Sequence, residues 1–291
     1  MRSLRKRMGL AGIATAVGVV LSGCAAGTSA SSDTIVVGSQ AYYSNEIIAE
    51  IYSQALESAG YEVERRYQIG QRDAYLPELE SGAVSLFPEY TGNLLQYYSP
   101  DAPAQQADEV YAALQEALPE GLSALEMSPA TDQDSYNVTA EFAAENNLFS
   151  IGDLAGVNGL ILGGNPELEE RPYGPRGLLD TYGVVVAFDA TGDVTVDALL
   201  SGVVNIANVY SADPRIAQFG LVTLADPEGL FLASNVVPIV NSALAEELAA
   251  VINPISRALT PEGLVALNLA ATQDQRSPAD IAAQWLADNG F

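Results

Sequence analysis

Short apolar runs alternate with stretches of helical spacing along most of the chain, and that alternation predicts an α/β fold. Residues 34–38 are an apolar run ending in Gly38, which reads as a strand. Ile47, Ile48, Ile51, Tyr52, Ala55 and Leu56 then recur with helical period. Ser44 is the expected N-cap, Glu46 suits the first turn, and Gly60 the stop. Residues 62–67 alternate enough to be a second strand, so the opening is βαβ with a right-handed crossover. A short helix over 73–81, ended by Gly82, leads to a third strand over 84–87. Pro88 cannot donate to a sheet ladder, so the strand is expected to stop there and a turn or helix start to follow. Tyr90 then lies beyond the carboxyl end of a strand, where open α/β sheets bind their ligands.

The next helical stripe carries Val110, Leu114 and Leu118 within residues 104–118, and a strand is predicted over 122–127. Residues 128–135 are polar and contain Pro129, which marks a crossing into a second lobe. There a short strand near Tyr136, helices over 141–146 and from 151, and a buried strand over 160–164 are expected. Residues 171–177 read as a loop in which Pro172, Gly174, Pro175 and Gly177 set off Arg171, Tyr173 and Arg176. Strand, helix and strand follow over 183–188, 194–200 and 203–208, delivering Tyr210 past the last one. A strand over 221–224 and a return crossing over 235–240 precede helices at 243–251, 261–271 and 278–288, with Trp285 packed on the first lobe. The expected layout is lobe I from 34–130 and 236–291 and lobe II from 131–235, a cleft that closes on a ligand.

Residues 1–23 read as an export signal. Arg2, Arg5, Lys6 and Arg7 precede an apolar run over 8–21 that is too short to span a bilayer. Leu21-Ser22-Gly23-Cys24 resembles the bacterial lipobox, in which Cys24 becomes the lipidated first residue, and 24–33 is a small-residue tether. Removing the signal leaves eight basic against 37 acidic residues, a formal charge of −29, which excludes a nucleic-acid binder. The remaining chain has neither lysine nor histidine. Ser-His-Asp and Cys-His chemistry, His- or Cys-based zinc sites and P-loop or Schiff-base lysines are therefore excluded, while carboxylate-only chemistry stays open. With a single cysteine there is no internal disulfide, so stability must rest on the core.

The order of pieces resembles the substrate-binding proteins of osmoprotectant ABC transporters, the glycine betaine, choline and proline-betaine binding family. The resemblance spans nearly the whole mature chain. It is carried by Gly38-Ser39-Gln40, Pro88-Glu89-Tyr90-Thr91-Gly92, Asp153-Leu154, Arg171 before Tyr182-Gly183, and Tyr210-Ser211-Ala212-Asp213. It implies a two-lobed fold of the periplasmic-binding-protein kind (type II), no cofactor and a monomer. The implied partners are permease and ATPase subunits, and a small zwitterionic or quaternary ammonium solute such as glycine betaine, choline or carnitine. It also implies that Tyr90, Tyr136 and Tyr210 box the cation, that Arg171 clamps a carboxylate, and that Gln40 and Asn93 add polar contacts. A quaternary ammonium has no N–H to donate, so electron-rich ring faces are its best partners. Three rings at up to ~2 kcal/mol each give about 6, short of the roughly 8 of a micromolar site, and an Arg–carboxylate contact of about 1.5–3 closes the gap.

Two departures stand out. Ser234 occupies the place of a fourth cage tyrosine, and Asn93 stands where Thr is usual. Tyr42, Tyr43 or Tyr173 could supply the missing wall, and the solute could be a larger or less cationic relative of betaine. The competing reading is a carboxylate-only surface hydrolase or an adhesive lipoprotein, with Glu89 and Asp213 as its acid pair. In the family pattern those two acids hold the tyrosine-bearing loops instead. Arg65, Arg66 and Arg72 are expected to pair with surplus carboxylates.

Overall fold

The computed structural model describes residues 34–291; the expected export signal, lipidation at Cys24 and tether all fall outside the described residues. β1 (Ile35–Gly38), α1 (Tyr43–Ser58) and β2 (Val63–Arg66) form the opening βαβ unit, with β1 and β2 parallel. α2 (Arg72–Glu80), β3 (Leu86–Tyr90), α3 (Thr91–Tyr98), α4 (Ala107–Ala117) and β4 (Leu122–Ala124) follow. The chain then builds β5 (Asp134–Val138), α5 (Ala140–Asn146), β6 (Ile161–Gly163), α6 (Pro175–Tyr182) and β7 (Ala187–Asp189). Next come α7 (Thr195–Leu200), β8 (Ile206–Tyr210), α8 (Arg215–Gln218) and β9 (Val222–Thr223). β10 (Val236–Asn241) leads into α9 (Ala245–Ala258), α10 (Pro261–Thr272) and α11 (Pro278–Asn289).

Two mixed five-stranded sheets result, ordered β2-β1-β3-β10-β4 and β7-β6-β8-β5-β9. In each, four strands run one way and one the other: the single antiparallel strand, β10 or β5, has just arrived from the other sheet and lies between the three adjacent parallel strands and the edge strand β4 or β9. The two connecting segments touch at an antiparallel bridge between Thr131 and Asn235, and the Asp132 N–H donates to the Ser234 carbonyl at 3.1 Å. The junction is thus a short hydrogen-bonded ribbon. Two-lobed α/β architecture of this kind is what the hydropathy pattern predicts. Among the described residues, no helix is long and apolar enough to cross a membrane.

α1 is sunk into the first lobe. Ile47, Ile48, Ile51 and Leu56 are buried in one cluster with Ile252, Ile255, Leu264 and Trp285 from the three C-terminal helices. Full burial of such side chains contributes roughly 1.5–3 kcal/mol each, so the N-terminal end of α1 is a firm platform. Ser44, the expected cap, lies inside the first turn: the helix begins at Tyr43, with Tyr42 as an N-cap whose side chain makes no capping bond. The rings of Tyr42 and Tyr43 pack edge to face at 4.8 Å, and that packing accompanies the earlier start.

Pro88 does not end its strand. β3 runs on to Tyr90, with Pro88 opposite Pro238 of β10. Neither ring nitrogen can donate, and the carbonyls face outward, Pro88 to the Asn45 amide at 2.8 Å and Pro238 to the Leu125 N–H at 2.9 Å. Two prolines fit a central ladder as a facing pair that exchanges no hydrogen bond. The loop expected over 171–177 is shorter than predicted, because Pro175 starts α6 at the helix position that proline favours. A Cβ on Gly174 would lie 2.0 Å from the Leu168 carbonyl oxygen and one on Gly177 1.9 Å from that of Pro172, so the chain coils too tightly there for any side chain.

Candidate functional site

α1 presents Tyr42 and Tyr43 from the first lobe, and β8 presents Tyr210 from the second, at the mouth of a cavity of about 620 Å³. Tyr43, Tyr42 and Tyr210 form a continuous run of rings, with centroids 4.8 Å apart for the first pair and 5.0 Å for the second, tilted by 48°. Asn165 steadies Tyr210 through an amide-to-hydroxyl contact of 3.4 Å. Tyr90, the last residue of β3, is buried, and its hydroxyl has no partner of hydrogen-bonding geometry. The neighbouring Asn45 is already committed, donating to the Pro88 carbonyl and accepting from the Gln40 N–H. Tyr43 also has an unpartnered hydroxyl, as does the Asn208 amide nitrogen. Buried polar atoms without partners are rare in native structures, and the two that line this cavity, from Tyr43 and Asn208, mark a place where a ligand or solvent completes them.

The electrostatics are those of a neutral aromatic wall backed by acids. Burial, then the charge of Asp132, pushes the Tyr42 and Tyr90 phenols up; Tyr43 and Tyr210 are raised by burial and by the cleft aspartates. All four keep their protons at neutral pH, so their faces stay π-rich and uncharged. Asp213 is held by Arg215 through a two-point ion pair at 2.6 and 3.0 Å. Glu89 is fully buried on Arg72, Tyr75 and the Tyr90 N–H. Both acids proposed for catalysis therefore have structural partners. Among the described residues, no three acidic or sulfur side chains converge to hold a metal ion.

A narrower recess of about 20 Å³ continues behind Tyr210, lined by Arg171, Arg72, Asp134, Tyr173 and Asn208. Arg171 ends the short 3-10 turn Pro166–Glu170. The tight coil through Gly174 and Gly177 fixes its backbone. Alone among the arginines of the described residues, it makes no side-chain hydrogen bond or ion pair with the protein. Asn93 instead spends its amide inside the protein, donating to Asp134 at 2.7 Å and to the Tyr173 hydroxyl at 3.0 Å. The Ser234 hydroxyl donates to the Asn93 side-chain oxygen Oδ1 at 2.6 Å, so where a ring was expected the chain has a hydrogen bond that ties α3 to the return crossing.

Of the residues singled out from the sequence, the structure brings Tyr42, Tyr43, Tyr210, Arg171 and Tyr173 to the lining of the cleft. It brings neither Tyr90, which is buried at the end of β3, nor Tyr136 there. Tyr136 shares a face of β5 with Asp134 and Val138, is fully buried beneath Phe231 at 5.0 Å, and donates its hydroxyl to the Tyr173 carbonyl. Gln40 is buried at the end of β1 with its side-chain nitrogen unpartnered, outside both cavities. Sequence reasoning missed Asp132, Asp134 and Asn208. Asn208 was within reach, since it sits two residues before Tyr210 on a strand and so shares its face.

Comparison with known proteins gives a consistent picture. The OpuAC family profile, described as the substrate binding domain of ABC-type glycine betaine transport system, matches residues 33–288. The glycine betaine-binding protein YehZ of Escherichia coli is 25% identical over 277 residues, covering 88% of this chain and 91% of its own. A glycine-betaine-binding protein of Pseudomonas aeruginosa is 25% identical over 279 residues, 89% of each chain. A crystal structure titled glycine betaine/carnitine/choline ABC transporter superposes with a TM-score of 0.72 at 20% identity, covering 88% of this chain and 98% of that one. With the profile spanning nearly all of its described length, this chain belongs to the family of substrate-binding domains of ABC-type glycine betaine transport systems.

Proposed function

We propose that the cleft captures a quaternary ammonium or zwitterionic solute, glycine betaine, choline, carnitine or a similar molecule, and delivers it to permease and ATPase subunits. Tyr42, Tyr43 and Tyr210 face the cation, Tyr90 backs them, and Arg171 receives the carboxylate when the solute has one. The observation that carries this reading is the continuous ring wall made from both lobes, with an unpaired guanidinium in the recess behind it. Tyr42 is the fourth wall that Ser234 does not provide. Lipidation at Cys24 would hold the protein on the outer face of the membrane, where a receptor for an importer must stand.

Calorimetric titration of the processed chain with glycine betaine, choline, carnitine and ectoine tests the reading. Saturable binding of at least one solute, weakened in Tyr42→Ala and Tyr210→Ala without loss of circular dichroism, is expected. Absence of binding by all four, or binding indifferent to both substitutions, overturns it. Palmitate labelling that persists in Cys24→Ala would remove the anchor.

A further inference from the structure

Asp132 sits on the hydrogen-bonded ribbon between the lobes and is 2% exposed. One carboxylate oxygen accepts from the Tyr42 hydroxyl at 3.3 Å and the other from the Ala212 N–H at 3.0 Å. These bonds reach into α1 on one side and the segment after β8 on the other, so the carboxylate is fixed directly behind the ring wall. Among the described residues, no arginine pairs with it. Arg215, the cation lining the same cavity, is taken up by Asp213. Asp134 from β5 and Asp213 from the turn after β8 add charge of the same sign. Among the described residues, the phenols of Tyr42 and Tyr43 at the start of α1, Tyr90 at the end of β3 and Tyr210 at the end of β8 all feel the Asp132 charge.

A buried carboxylate lacking a cationic partner is costly, and proteins resolve it by protonation or by a bound cation. The rings around this one present faces suited to a cation and offer no charge of their own. Resting on the cleft reading above, we propose that Asp132 is the buried counter-ion of the aromatic wall and makes the site choose a full positive charge over a neutral group of the same shape. It acts through Tyr42 and across it, and is a positioning and charge-selecting residue rather than a contact. Before the ligand arrives, burial and the like charges of Asp213 and Asp134, opposed by the bonds from Ala212 and Tyr42, push the carboxyl up to about 7. A cation settling on the wall favours the ionised form, so binding releases a proton when it begins below that pH.

The test uses the processed chain, with glycine betaine and choline as probes and their tert-butyl analogues, in which carbon replaces the charged nitrogen, as uncharged-head controls. In calorimetry at pH 8, Asp132→Asn is expected to bind the tighter probe at least about tenfold more weakly than the native chain, while the weak affinity for its tert-butyl analogue stays within about twofold. A merely structural role would weaken both together, and equal losses overturn the proposal. The native chain gives a second measurement that needs no variant: affinity is expected to be about tenfold lower at pH 6 than at pH 8, since neither probe titrates in that range. A flat profile between those values overturns the counter-ion role while leaving the solute reading intact. If the native chain binds neither probe at either pH, both readings fall.

Discussion

Arg72 and Glu89 form a buried two-point ion pair, Nε to Oε1 at 2.9 Å and Nη2 to Oε2 at 2.8 Å, and the same carboxylate accepts the Tyr90 N–H at 2.7 Å. Glu89 is fully buried and Arg72 is 5% exposed. The pair therefore fixes the backbone that presents Tyr90. Removing one partner strands a charge in the interior, so Glu89→Gln is expected to destabilise the fold by about 3–5 kcal/mol. Replacing both by apolar residues of similar volume should cost far less. Urea unfolding followed by the fluorescence of Trp285, the single tryptophan, measures both.

Tyr210 and Tyr136 should separate cleanly although both are tyrosines. Tyr210 borders the cavity, so Tyr210→Ala is expected to lower solute affinity roughly 30-fold, the equivalent of about 2 kcal/mol for a desolvated cation–ring contact. Tyr136 is sealed under Phe231, and Tyr136→Phe loses its bond to the Tyr173 carbonyl. That change should cost about 1 kcal/mol of stability and leave affinity within about twofold. Paired titration and unfolding curves decide the matter.

Arg171 should discriminate between solutes. A charge-assisted bond of about 1.5–3 kcal/mol corresponds to roughly 10- to 150-fold in affinity, and Arg171→Ala is expected to lose it for glycine betaine or carnitine. Choline has no carboxylate and should change little. Equal losses for both classes in competition titrations would show that Arg171 shapes the recess rather than holding an acid.

Stability should depend on pH through Asp132, with a definite sign. Its carboxyl moves from an ordinary 3.8 to about 7 on folding, so between those values the folded chain holds a proton that the unfolded chain has released. The associated stability is fully present below about 3.8 and is lost as pH rises through about 7, to an upper bound of about 4 kcal/mol. The ligand-free Asp132→Asn variant is thus expected to gain stability relative to the native chain as pH rises from 5 to 8, measured as the difference between their urea curves. Glu50 and Glu57, both lowered, act oppositely in each protein and cancel in that difference.

The strand and helix alternation was readable because it depends on near neighbours: the apolar faces of α1 and the runs ending at Gly38 and Phe87 carry their period in the chain itself. The same holds for the aromatic and arginine candidates, and for the chemistry excluded because residues 24–291 contain neither histidine nor lysine. Pro88 escaped, because a facing Pro238 from a distant strand, not local propensity, makes it tolerable in a ladder.

What the sequence determined by itself was therefore the α/β class, the succession of elements and the supply of rings and charges, all set by spacing along the backbone. Which rings share a cleft was decided by tertiary structure. Tyr42 and Asp132 lie 90 residues apart, and nothing in either neighbourhood signals their meeting. Tyr136 and Asn93 carry side chains suited to a ligand, yet packing turns one into the core and commits the other to Asp134 and Tyr173. The reason is physical: a side chain's type limits what it can bind, but its available face and unspent hydrogen bonds depend on neighbours that only folding brings beside it.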